Sequence, residues 1–217
     1  MNFGQVLGVL AAGAGSTILV TLVCTGAGLL IGLAAALLSQ LRWSPLQWAL
    51  TAFTFVFRGI PVLVLLFIVF FGLPGIGVRI SPLLSMVLSM GLISGAYLAE
   101  IFRGAMNAVS VEEVLAAEAM GMTRMQSFFY IVLPQMFRFS FPGMINEFTS
   151  ILKYSPFAYT VGIPEIMKQA MSLTPVILRG VEVYLAVGIL YFVIYRAFLV
   201  LFRALEKRFR VPGLVPD

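Results

Sequence analysis

Arg58, Glu147 and Lys153 stand within or beside long apolar runs of this 217-residue chain. Ionisable groups in such runs are expensive and tend to face a bundle interior or a water-filled path. There a guanidinium or ammonium can bind a carboxylate, and a carboxylate can bind an amino group. Arg58 has two readings: it lines a path and attracts a substrate carboxylate, or it snorkels to the membrane face or pairs with a glutamate. Lys153 and Glu147 either bind the two ends of a small zwitterion or compensate charges on a neighbouring subunit. Glu100 and Arg103, three apart on one helix face, are expected to pair with each other.

The remaining inventory narrows the chemistry. Histidine is absent, Cys24 is the one cysteine and Asp217 the one aspartate. A Ser-His-Asp triad, an HExxH zinc site or a CxxC redox pair cannot be assembled from these residues, so no catalytic and no metal-binding residue is expected. Lys153, Lys168 and Lys207 follow no glycine run, so no loop cradles a nucleoside triphosphate. Energy-driven work would need its energy from another chain, and no cofactor is expected on this one.

The elements that position these groups are membrane helices. Hydrophobic residues make up 61% of the chain and charged residues 11%, with a mean hydropathy of +1.05, whereas a soluble domain has roughly a quarter charged. Phe3 to Leu41 holds no charge, longer than the roughly 20 residues that cross a bilayer. Without a basic leader it does not read as a signal peptide. The sequence predicts one all-α transmembrane domain, residues 1–217, with spans near 11–40, 49–73, 83–104, 137–160 and 181–203. Gly and Pro in "GLPGIG" end the second span, Ser81-Pro82 starts the third, and Pro156 breaks the fourth.

Five spans put the termini on opposite sides. With the N-terminus outside, Arg42, Arg103, Arg124, Arg138, Arg203, Lys207, Arg208 and Arg210 are cytoplasmic, against Arg79, Lys168 and Arg179 outside. Lysine and arginine favour the cytoplasm, which favours this orientation. The net charge of +5 is then a matter of topology, with no nucleic acid implied, and "RALEKRFR" anchors the C-terminus in anionic lipid. Arg196 marks the cytoplasmic half of the fifth span.

One polar stretch remains, Ser110 to Pro134. Ser110 and Glu113 have the spacing of a capping box, as do Thr123 and Gln126. Gly121 lies between them and suits the left-handed residue that ends a helix. The expectation is a helix, a glycine corner, and a second helix stopping before Pro134. Ala116, Ala117 and Ala119 allow close approach of a partner's groove, with Val111, Val114, Leu115 and Met122 as apolar anchors. A helix resting on lipid would instead show a lysine-rich polar face, and here the polar face is Glu112, Glu113 and Glu118.

These residues resemble the cytoplasmic loop of permease subunits of ATP-binding-cassette importers, in the amino-acid uptake group. The loop pattern EAA, three residues, Gly, nine residues, I-x-L-P is met by Leu115-Ala116-Ala117, Gly121 and Ile131-Val132-Leu133-Pro134, with Leu115 in place of the glutamate. "FRGIP" at Phe57–Pro61, "AEIFRGAMNAV", Leu152-Lys153 and "VGIPEIMKQA" are similar to the same group, and the likeness runs through nearly the whole chain in order. After Lys153 the chain has Tyr154-Ser155-Pro156 where relatives often have Asp-Thr-Ser or Asp-Ser-Ser.

The resemblance implies a five-helix, type I importer permease fold. It implies docking of a dimer of ATPase subunits, which carry the ATP and Mg, on Glu113, Leu115, Ala116, Ala117, Glu118, Gly121 and Met122. It further implies a second permease subunit, identical or homologous, an extracytoplasmic amino-acid-binding protein, and an amino-acid substrate. Arg58, Glu100, Glu147, Lys153 and Ser155 are the candidates for pathway or gate. The competing reading is a passive channel or ion-coupled carrier, which gives no reason for the Gly121 loop. The expected location is the bacterial cytoplasmic membrane.

Overall fold

The computed structural model describes residues 1–41 and 43–209, the last three by backbone alone. Arg42, Arg210 and the side chains of Lys207 and Arg208, on which part of the charge bias and of the C-terminal anchor rests, lie outside the described residues. Every element described is helical.

The centre of the molecule is a parallel pair, α2 (Ala14–Leu38) and α5 (Pro82–Asn107). Glycines four apart on each helix, Gly28 and Gly32 facing Gly91 and Gly95, remove the side chains that would hold the backbones apart. A Cβ at Gly32 would lie 2.6 Å from Leu98 Cβ, and one at Gly95 2.6 Å from Ile31 Cγ2. Ser81 starts α5, accepting from the Leu84 N–H with Pro82 in the first turn, as expected.

Before this pair comes α1 (Phe3–Ala11), so the charge-free N-terminal run holds two helices. Between α2 and α5 lie α3 (Ser44–Gly59) and α4 (Val62–Phe67). The single second span expected from the sequence is broken here: α3 and the stretch Val62–Ile76 are bent by 103°. Pro61 lacks an N–H and pushes Ile60 out of the helical region, and both residues are extended. The run ends as expected at the Leu73–Ile76 turn, with Gly77 left-handed.

After α5 follow α6 (Val111–Ala119), α7 (Arg124–Ser127) and α8 (Leu133–Tyr154). A 3-10 turn over Ser155–Val161 contains Pro156 and leads to α9 (Ile166–Ile177) and α10 (Gly180–Phe209). α8 packs on α5, where a Cβ at Gly143 would lie 2.7 Å from Ile101. Phe148 meets Phe198 and Phe202 of α10, while α9 reaches Tyr191 and Tyr184 through Glu165 and Met171. Together α8 and α9 run antiparallel along α10.

Among the described residues three helices are long and apolar enough to cross a membrane, Ala14–Leu38, Pro82–Asn107 and Gly180–Glu206, or four if the bent pair counts as one span. The expected count of five is not reached on length and composition, because α8 falls short. Its helix also stops at Tyr154 rather than near residue 160.

Candidate functional site

The break between α3 and α4 opens a cleft of about 460 Å³ beside the middle of α5. Arg58 lies in the last turn of α3, where a cation complements the helix dipole. It is therefore at a helix end, beside the break in the bent pair. Its guanidinium carbon sits 5.1 Å from the centre of the Tyr97 ring, within cation–π range, and the Tyr97 hydroxyl donates to the Arg58 carbonyl at 3.4 Å.

From the opposite side α8 contributes Asn146, Glu147 and Ser150. The Thr149 and Ser150 hydroxyls turn back to the Asn146 carbonyl at 2.8 and 3.1 Å. Neither Arg58 nor Glu147 belongs to an ion pair among the described residues, whose pairs are Glu100–Arg103, Glu118–Arg124 and Arg179–Glu182.

Of the five expected pathway residues, the structure brings Arg58 and Glu147 together. Lys153 is exposed, its ammonium 6.0 Å from the Tyr195 ring centre on α10, and it does not line the cleft. Ser155 is buried and donates to the Leu152 carbonyl at 2.8 Å. Glu100 pairs with Arg103 as expected, also outside the cleft. Arg196 is exposed on α10. Tyr97, Asn146 and Tyr154 line the cleft without having been singled out for it; Asn146, next to Glu147, was the readable signal.

A second polar group went unread in the sequence. Glu165 is fully buried at the start of α9. Its carboxylate accepts from the Met167 and Lys168 N–H groups, both at 2.7 Å, and from the Tyr191 hydroxyl at 2.8 Å. The Ile166 N–H donates to Thr17 Oγ1 at 3.3 Å and Glu165's own N–H to the Ile163 carbonyl at 2.9 Å. All four donors that a helix start leaves free are thus taken.

The loop between α5 and α8 forms a separate surface. Gly121 has φ +91°; its N–H donates to the Glu118 carbonyl at 3.0 Å and the Met122 N–H to the Ala117 carbonyl at 3.1 Å. That is the Schellman pattern, which closes the last carbonyls of α6. The Thr123–Gln126 box is present, with backbone bonds of 2.8 and 3.3 Å.

The Ser110–Glu113 box is not formed. The Ser110 hydroxyl donates to Glu112, holding that carboxyl below its ordinary range with help from the Glu112 N–H, and Glu113 instead accepts from the Gln135 amide of α8. Nor does the second loop helix stop before Pro134. The chain stays helical through a wider π turn, Phe128–Val132, which contains Tyr130, the residue whose carbonyl a proline ring would otherwise meet four positions on.

On α6 the side chains of Val111 and Leu115 are exposed, and Met120 beyond its end is 87% exposed. Ala117 is buried, while Glu113, Ala116, Glu118 and Gly121 are exposed and Met122 half-buried. A groove of about 520 Å³ separates α6 from the start of α8, with Ala116, Ala117 and Met122 on one wall and Tyr130 and Pro134 on the other.

A sequence profile described as the binding-protein-dependent transport system inner membrane component matches residues 28–211. The probable amino-acid ABC transporter permease protein YckA of Bacillus subtilis (strain 168) is 31% identical over 197 residues, covering 91% of this chain and 87% of that protein. The probable amino-acid permease protein YxeN of the same organism is 36% identical over 186 residues, covering 82% and 83%. A solved structure described as an amino acid ABC transporter with histidines superposes with a TM-score of 0.88 at 29% identity, over 96% of this chain and 99% of that one.

Proposed function

Because this chain belongs to the family of binding-protein-dependent transport system inner membrane components, we propose that it is the permease subunit of an ATP-driven amino-acid importer. An external binding protein delivers the amino acid, the permease passes it through the cleft between α3, α5 and α8, and ATP with Mg is hydrolysed on a separate pair of ATPase subunits. A second permease, identical or homologous, completes the assembly. The N-terminus is outside and α6 faces the cytoplasm of a bacterial cell.

The observation that carries this reading is the combination of an open cleft, holding Arg58 and Glu147 that form no ion pair among the described residues, with an exposed helix closed at its end by Gly121. Nucleotide-driven movement of docked ATPases pushes α6; the Glu113–Gln135 bond and the helical run through Pro134 carry the push into α8, which lines the cleft. The transport step is then a population shift biased by nucleotide.

The test is purification from the native membrane in mild detergent beside Gly121→Pro, whose fixed φ near −65° cannot take the left-handed corner. An ATPase subunit is expected with the wild-type chain and lost from the variant, and proteoliposomes of the wild-type complex should take up amino acids only when ATP is supplied. Uptake by the isolated chain without an ATPase would favour the channel or carrier reading.

A further inference from the structure

Resting on the importer reading, we infer that the cleft accepts a zwitterionic amino acid whose side chain is uncharged. Charge balance in the cleft sets this preference. Among the described residues lining the cleft, Arg58 is the one cation and Glu147 the one anion, and neither is neutralised by an ion pair among the described residues. A guanidinium matches a carboxylate through two parallel hydrogen bonds, and a carboxylate is the matching acceptor for an ammonium. An α-carboxylate and an α-amino group therefore use both side chains.

A charged substrate side chain would find no partner left. The remaining polar groups in the lining, among them Ser94, Tyr97 and Asn146, are neutral. Two other charges of the same helices are engaged elsewhere: Lys153 lies against the Tyr195 ring, and Glu100 is paired with Arg103. Half-way along a helix long enough to cross a membrane, a third charge without a counter-ion carries a desolvation cost that an amide or alkyl side chain avoids. Ile60, Val62, Met90 and Ile93 supply apolar wall for such a group.

The test uses the assembled permease–ATPase complex without its binding protein, so that selection is the cleft's own. Equilibrium binding of labelled glutamine, leucine, arginine and glutamate is compared in the wild type, Arg58→Gln and Glu147→Gln. Glutamine or leucine is expected to bind at least about tenfold more tightly than arginine and glutamate, the scale set by an unpaired buried polar group. Arg58→Gln should raise arginine relative to glutamine, and Glu147→Gln should raise glutamate. The two variants shift in opposite directions, so either one that retains its ATPase decides the matter.

Wild-type binding of arginine or glutamate equal to that of both neutral probes overturns the inference, as does an unchanged ratio in a well-assembled variant. If ATP-driven uptake of some amino acid persists in those cases, the importer reading stands without it. Absence of both binding and ATP-driven uptake for all four probes overturns both.

Discussion

Glu147 and Glu165 lie on either side of the break that follows α8, and their surroundings are opposite. Glu165 is fully buried and accepts three hydrogen bonds, closing the start of α9 onto α10. Glu147 faces a cleft and belongs to no ion pair among the described residues. The comparison separates two uses of a carboxylate among membrane helices. One that is saturated by its own protein holds helices together, and its helix start has no donor left for a ligand. One that is left open is available to something that arrives.

The sharpest way to break this contrast is Glu165→Ala. It strands the Met167 and Lys168 N–H groups and the Tyr191 hydroxyl, and a buried donor without a partner costs about 1–3 kcal/mol, so a loss of about 3–5 kcal/mol is expected. Thermal unfolding of the detergent-purified complex measures it. Gly13→Val attacks the same joint from the other side, since a Cβ there would lie 2.5 Å from the Glu165–Ile166 backbone; overpacking of that kind costs about 1–3 kcal/mol, read as a lowered unfolding temperature.

Tyr191→Phe removes a single donor to Glu165 and should cost about 1.5–3 kcal/mol, the range for hydrogen bonds to charged groups; a loss equal to that of Glu165→Ala would show that the hydroxyl, not the helix cap, dominates the joint. Glu147→Ala completes the series with the smallest change in stability, within about 1 kcal/mol, since it breaks no ion pair. ATP-driven uptake of glutamine should nevertheless fall steeply. A large stability loss there would move Glu147 into the same class as Glu165.

The loop was largely readable in the sequence because its signals are local. Gly121 and the Thr123–Gln126 box depend on residues a few positions away, and both form. The Ser110–Glu113 box failed for the opposite reason: Gln135, distant in sequence, claims Glu113. The cleft was legible only in part. Arg58 and Glu147 stood out as charges in apolar runs, but Lys153 stood out equally and faces α10. Nothing local distinguishes the three until α8 is placed.

The bend at Ile60 was written in Gly59 and Pro61, yet the apolar run on both sides read as one continuous span. Glu165 gave no warning, because its partners, Tyr191 and, through the Ile166 N–H, Thr17, come from the two ends of the chain. The glycine contact between α2 and α5 likewise gains meaning only once both helices face each other.

The weak apolar character of α8 has a consequence for how the protein is made. A charge near a helix centre opposes entry into lipid by about 2.5–3.5 kcal/mol, and α8 carries Glu147 near its middle with Arg138 and Lys153 towards its ends. It is poorly suited to partition from the translocon on its own. By the time it emerges, α2 and α5 have been synthesised, and α5 offers the Ile101 contact into which Gly143 fits. The order of the helices along the chain therefore doubles as an assembly schedule, in which the glycine-matched pair α2 and α5 is made first and forms the surface that admits the segment bearing the open carboxylate.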